Sequence, residues 1–190
     1  MRRLLLALPF ALLPLTMAHA AADHDHDHDH EHGSLGAHEH GVGTMNVALD
    51  GPTLELDLDG PSVNIVGFEH IATTDADKAK VDSARTQLEN PLALFSLPKA
   101  AECVVEAQDL DSPLFEAAPE EAGAAKTEHH HSDIEAHYAF TCASPEALKA
   151  LDLTQFFKTF PGTHKIKVQL IGGSGQQGSE LTPKAPTLKF

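Results

Sequence analysis

Basic residues are scarce in this chain. Its 190 residues include 13 lysines and arginines against 28 aspartates and glutamates, a formal net charge of −15 with neutral histidines. A negative charge of this size repels nucleic acid and anionic lipid and raises the local concentration of cations. We therefore expect no nucleic-acid partner and look among the acidic and imidazole side chains for a cation site.

Tryptophan is absent, and the chain has one tyrosine and two cysteines. Nine phenylalanines and a hydrophobic fraction of 42% are still enough for one core of ordinary size. In an oxidising compartment, an even pair of cysteines favours a disulfide over two thiolate metal ligands. We therefore expect a bridge between Cys103 and Cys142 and exclude both from the set of metal ligands.

Motifs of common enzymes are also missing. The chain has no His-Glu-x-x-His helix, no Gly-x-Ser-x-Gly elbow and no phosphate-binding loop, because the glycine-rich residues 172–178 precede no helix and lack a Walker lysine. The sequence therefore predicts a protein that is not an enzyme.

One apolar stretch, at the N-terminus, has the form of a signal peptide. Residues 1–3 are positive, residues 4–15 are apolar, and Ala-His-Ala at 18–20 matches a signal-peptidase site. The stretch is short for a transmembrane helix and contains Pro9 and Pro14, so an uncleaved anchor is the weaker interpretation. We expect cleavage after residue 20 and a periplasmic protein that is not inserted in the membrane. Its 170 residues would carry 11 basic and 28 acidic side chains, a formal charge of −17.

A tract of alternating acid and histidine follows the leader, at residues 23–32. Imidazole nitrogen is a preferred ligand of zinc, copper and nickel, and carboxylates complete such sites. Residues 21–41 have one large apolar side chain, Leu35, and we interpret them as a disordered arm with several weak, exchangeable sites. The predicted ligands of the tract are His24, His26, His28, His30 and His32.

Further histidines lie on or beside predicted elements of the domain at 42–190. We predict ligands before the first strand, after the second, in an insertion at 116–132 and on the strand that follows it; these are His38, His40, His70, His129, His130, His131 and His137. His164 precedes Lys165 and is distant in sequence from the other clusters, so it is left out of the predicted set.

Hydrophobic periodicity predicts the order β-β-α-β-β-α-β-β. Alternating residues form a hairpin across residues 50–52, and a helix of about four turns begins after Thr74. Strands are predicted at 103–107, 134–140 and 166–170, one broken or two short helices between 144 and 160, a loop at 172–178, and an edge strand within 181–190. The predicted fold is a single two-layer α+β domain, a mainly antiparallel sheet with helices on one face and an acidic outer face.

Two segments carry a resemblance to a known family. His-Glu-His-Gly at 38–41 opens a strand, and Pro-Ser-Val-Asn-Ile-Val-Gly-Phe-Glu-His occupies residues 61–70. With the leader and the tract, these segments resemble the zinc-regulated periplasmic proteins of Gram-negative bacteria that assist zinc uptake. The resemblance implies a zinc-binding accessory protein beside the solute-binding component of a zinc ABC transporter. It implies no catalytic residues.

The leading hypothesis is a periplasmic protein that captures zinc and assists its delivery to a high-affinity importer. A buffer that detoxifies copper or nickel is the main alternative, because imidazole binds Cu²⁺ and Ni²⁺ well. A metal-dependent enzyme is a third, weaker hypothesis.

Overall fold

The computed structural model describes residues 39–116 and 132–190. The predicted leader, residues 21–38 of the predicted arm and residues 117–131 of the insertion lie outside the described residues. So do nine of the predicted ligands: His24, His26, His28, His30, His32, His38, His129, His130 and His131.

The described residues form eight strands and four α-helices. In chain order they are β1 (Val42–Asp50), β2 (Thr53–Pro61), α1 (Ser62–Ile65), α2 (Asp75–Leu88), α3 (Pro91–Leu94), β3 (Cys103–Asp111), β4 (Asp133–Cys142), β5 (Ala150–Asp152), α4 (Thr154–Thr159), β6 (Lys165–Gly172), β7 (Gly175–Leu181) and β8 (Thr187–Lys189). Six strands form one sheet in the order β3-β4-β2-β1-β6-β7, and β5 pairs with β8 in a second, small sheet. The β1–β6 pair is parallel and the other pairs are antiparallel, which confirms the predicted α+β class.

The predicted β1–β2 hairpin is confirmed. Its alternation of apolar and polar residues gives the sheet one buried face and one exposed face. Successive side chains of a strand point to opposite faces. Met45 and Val47 on β1 and Leu54 and Leu56 on β2 are buried, whereas Asp57 and its outward neighbours are exposed. On β4 the predicted inward set is buried as expected: Ile134, Ala136, Tyr138 and Phe140.

The helices cover the apolar face. Helix α2 begins after Thr74, whose side chain accepts a hydrogen bond from the Asp77 N–H at 3.1 Å, as its capping sequence predicts. Phe95, which follows α3, contacts Tyr138 edge-on with ring centroids 5.3 Å apart. The Tyr138 hydroxyl donates to the Leu88 carbonyl at 3.0 Å, so the last turn of α2 is bound directly to the sheet. In the part of the chain described, no helix is long and apolar enough to cross a membrane.

Two local predictions were wrong. Residues 172–178, predicted as a loop, contain a tight turn followed by the start of β7, because their backbone pairs with β6 at the edge of the sheet although their side chains are exposed. Residues 150–152, predicted as helix, form β5, because Leu151 is fully buried opposite Leu188. The short helix that follows, α4, buries Phe156 and Phe157 as expected.

The predicted disulfide is present. Cys103 begins β3, Cys142 ends β4, and the two residues are directly opposite in the antiparallel register. The bridge therefore closes the segment that contains the insertion.

Candidate metal-binding corner

Asn64, on α1, fixes the chain that leads into the sheet. Its side-chain oxygen accepts a hydrogen bond from the Gly41 N–H at 2.6 Å, and its side-chain nitrogen donates to the Val42 carbonyl at 3.1 Å. Asn64 is 4% exposed. A buried amide with both ends satisfied holds its partners in one geometry. The start of β1 is thereby attached to α1.

A third segment, residues 162–165, packs into the same place. The backbone N–H groups of His164 and Lys165 both donate to the Gly41 carbonyl, at 2.7 and 3.0 Å. A Cβ atom on Gly162 would lie 2.7 Å from the Asn64 carbonyl oxygen, so only glycine fits there without movement. We call the junction of residues 39–42, 64–70 and 162–165 the Asn64 corner.

His40 and Glu69 meet at the Asn64 corner. The distance from His40 Nε2 to Glu69 Oε1 is 3.1 Å, and the side chains are 64% and 22% exposed. Two ligand atoms that each lie about 2.0–2.1 Å from a tetrahedral zinc are about 3.3 Å apart. The pair therefore already has a separation that one zinc ion can bridge, and both donor atoms are of kinds that zinc accepts.

Two serine hydroxyls hold the backbone at Phe68 and Glu69. The Ser62 hydroxyl donates to the Phe68 carbonyl at 2.7 Å, and the Ser132 hydroxyl contacts the Glu69 carbonyl at 3.5 Å. The Ser62 N–H also donates to the Ser132 carbonyl at 2.7 Å. Ser132 directly follows the predicted His129–His131 ligands in sequence. The chain therefore leaves the insertion beside Glu69.

His70 lies next to Glu69 in sequence, but its ring is turned to other neighbours. The imidazole stacks on Phe68 with centroids 4.5 Å apart, and Nδ1 lies 3.0 Å from the Ile71 carbonyl oxygen. If Nδ1 carries the proton in that contact, Nε2 is the nitrogen left for a metal. The structure therefore places His70 beside the His40–Glu69 pair without directing its ring toward it.

His137 belongs to a different place, the outer face of the sheet. Its Nδ1 contacts Asp57 Oδ1 at 2.5 Å, and Asp109 is opposite it on the other neighbouring strand. A carboxylate on one imidazole nitrogen orients the ring and leaves the other nitrogen for a metal. His137 lies four residues along β4 from Asp133, about 13 Å from that end of the strand. The predicted ligands of the domain are thus divided between two places.

The outer face around His137 is strongly acidic, as the alternating pattern predicts. Asp59, Glu135 and Asp111 are aligned across β2, β4 and β3, next to the row of Asp57, His137 and Asp109. All six side chains are exposed. Like charges directly opposite one another on a sheet are destabilising, and a bound cation relieves that repulsion.

Within residues 39–116 and 132–190, no group of three or more histidine, cysteine, aspartate or glutamate side chains could hold a metal ion in the conformations that the structure shows. The structure offers two carboxylate–imidazole pairs instead, each completed by a residue outside the predicted ligand set: Glu69 for His40 and Asp57 for His137. The sequence could have indicated Glu69 as a ligand, since it lies in the Phe-Glu-His part of the segment at 61–70 that carries the family resemblance. The partner of His137 depends on strand register, which local pattern does not specify.

Comparison with known proteins associates this chain with zinc. No curated protein gave a match. A family model described as ZrgA family zinc uptake protein matches residues 37–190, a range that includes the Asn64 corner and the outer face. The match begins after the acid–histidine tract of residues 23–32, so it rests on the domain and not on that low-complexity tract. It confirms the family that the two segments at 38–41 and 61–70 resemble. The chain belongs to the ZrgA family of zinc uptake proteins.

Proposed function

We propose that this protein captures zinc in the periplasm and assists its delivery to a high-affinity importer, through the solute-binding component of a zinc ABC transporter. Membership of a zinc uptake family supports the metal and the process. The leader at residues 1–20 supports the compartment. The proposal assigns no catalytic residue.

The observation that carries the proposal is the contact of His40 with Glu69. His40 ends the histidine-rich segment of residues 21–41 and is also part of the folded domain, where Asn64 holds the next residue, Gly41. One histidine therefore belongs both to a segment suited to collecting zinc and to a fixed carboxylate site. In the proposed sequence of events, the tract collects zinc and the Asn64 corner retains it.

The charge of the domain favours the capture of zinc. Five exposed carboxylates on the outer face surround His137, and acidic surfaces raise the local concentration of divalent cations. The effect on zinc encounter falls with ionic strength, since exposed charges are screened beyond about 10 Å at 0.1 M salt.

Zinc capture is tested by calorimetry on the mature protein and on a variant in which His24, His26, His28, His30 and His32 are replaced by asparagine. The matched control replaces the interleaved acids with amides and keeps the histidines. We expect the histidine variant to lose most weakly bound zinc equivalents and the control to keep most of them. Loss of zinc in the control but not in the histidine variant would mean that the tract attracts zinc by charge alone.

Delivery is tested by mixing the zinc-loaded protein with the metal-free solute-binding component and following the transfer rate. A direct handover predicts a rate that rises with acceptor concentration above the spontaneous dissociation rate of zinc. A rate fixed at spontaneous dissociation would contradict the partner contact.

Expression distinguishes zinc capture from metal detoxification. Zinc starvation is expected to induce the protein, and a strain that lacks it is expected to grow poorly in zinc-depleted medium. Induction by excess copper or nickel, without induction by zinc starvation, would replace the proposal with a detoxifying buffer.

A further inference from the structure

We propose that His164 is a zinc ligand of the Asn64 corner, together with His40 and Glu69. The inference rests on the proposed function, which assigns zinc to this corner, and it adds a ligand that the sequence pattern does not indicate. It concerns the ordered domain alone.

The position of the His164 ring is the first observation. A Cβ atom built on Gly41 would lie 2.8 Å from His164 Nδ1 and 3.4 Å from its Cγ. The imidazole therefore packs directly on the Cα of the residue that follows His40. Gly41 has φ +84°, a conformation that glycine adopts without cost, so the close approach and the backbone turn both require glycine.

The pairing of β1 with β6 explains why the two histidines are neighbours. These strands are parallel, with Val42 opposite Lys165. Parallel strands have their starts at the same edge of the sheet. His164 comes one residue before β6 and His40 two residues before β1, so both are presented at that edge.

The backbone of His164 is held, whereas its side chain is exposed. The preceding residue, Thr163, is 2% exposed, and the His164 N–H is bonded to the Gly41 carbonyl at 2.7 Å. His40 and His164 are both on the surface. As they stand, the side chains of the described residues form no group of three that could hold a metal ion. The proposed site therefore requires the two exposed imidazoles to turn about χ1 toward Glu69.

Three protein ligands are the number that suits a transferable metal. His40 and His164 supply two nitrogens and Glu69 one oxygen, which leaves a fourth position of the zinc tetrahedron for water or for a ligand from an acceptor. A site closed by four protein ligands is the structural kind, which leaves no position for an incoming ligand. An open position is consistent with capture followed by release.

The test uses the full mature protein with a competing chelator, so that the tightest zinc site is resolved from the weaker ones. His164→Gln and Glu69→Gln are compared with Lys167→Gln, an exposed change two residues after the start of β6. We expect each of the first two changes to weaken the tightest site by at least about tenfold, as loss of even a supporting residue does at metal sites. The control is expected to leave it unchanged.

Nitrogen NMR of the imidazole side chains in the unmodified mature protein gives an independent readout. The His164→Gln spectrum assigns the His164 signals by their disappearance. Addition of one zinc equivalent is expected to shift one His164 ring nitrogen to a metal-bound position. This measurement needs no variant to be active and remains decisive if His164→Gln lowers the stability of the domain.

The outcomes separate the inference from the proposed function. If Glu69→Gln weakens the site while His164→Gln does not, and the His164 nitrogens do not move, the inference is wrong and the corner remains a zinc site. If neither change weakens the tightest site, zinc is held elsewhere, and the assignment of zinc to this corner is wrong as well.

Discussion

Asn64 gives Gly41 the hydrogen-bond partner that a neighbouring strand would otherwise supply: its side-chain oxygen accepts the Gly41 N–H at 2.6 Å. We predict that Asn64→Ala lowers the free energy of unfolding by about 1–3 kcal/mol, because a buried N–H is left unsatisfied. Asn46→Ala, at an exposed position of β1, is the matched control and should change it by no more than about 0.5 kcal/mol. Chemical denaturation followed by far-UV circular dichroism measures both. Equal effects would show that the amide of Asn64 has no special structural role.

A methyl group on Gly41 is expected to disturb zinc binding through His164. Gly41→Ala places a Cβ atom 2.8 Å from His164 Nδ1, and the exposed ring should turn away rather than force the backbone apart. Gly51→Ala is the control, since Gly51 also has a positive φ (+54°) but lies outside the Asn64 corner, in the β1–β2 turn, with open space where the Cβ would be.

Both glycine variants should lose about 1–2 kcal/mol of stability from the left-handed backbone. We expect only Gly41→Ala to weaken the tightest zinc site, as measured by chelator competition. Weakening by both variants to the same extent would attribute the effect to backbone strain alone.

We predict that the free energy of unfolding falls in alkali because Tyr138 is buried. Burial raises the pKa of its hydroxyl well above the usual 10, because the charged form would be desolvated. In the unfolded chain the group ionises near pH 10, so folding stability is fully present below that pH and falls as the pH rises above it. Tyr138 is the single tyrosine and the chain has no tryptophan, so tyrosinate absorbance reports this residue alone.

We expect tyrosinate to appear only as the circular dichroism of the fold is lost. Tyr138→Phe is the control and should reduce the dependence of stability on pH above about pH 10. Ionisation of Tyr138 near pH 10 in a protein that is still folded would contradict the prediction.

Removal of the disulfide is expected to destabilise the domain without changing its ligands. Cys103 and Cys142 are 39 residues apart, for which the chain-entropy model gives about 4 kcal/mol of stabilisation. Cys103→Ser with Cys142→Ser should lower the free energy of unfolding by up to that amount, and reduction of the unmodified protein should have a similar effect. A thiol assay on denatured, unreduced protein should find no free sulfhydryl; two free thiols would return cysteine to the list of possible metal ligands.

Local pattern in the sequence was enough for several features of this fold. Alternation of apolar and acidic residues predicted the β1–β2 hairpin with its acidic face, and the capping sequence after Thr74 predicted α2. These predictions were confirmed because they depend on periodicity within a single element. Predictions from local pattern were wrong at residues 150–152 and 172–178, where pairing with another strand decides the structure.

The candidate site shows the same division. The sequence by itself determined the family, the disulfide pair and the kinds of side chain available to a cation, because these depend on composition and short motifs. Only the tertiary structure brought Gly41 into contact with Asn64, 23 residues later in the chain, and with His164. It also paired Asp57 with His137, which are 80 residues apart. Contacts of this kind depend on strand register and on the parallel pairing of β1 with β6, which packing of the whole core selects.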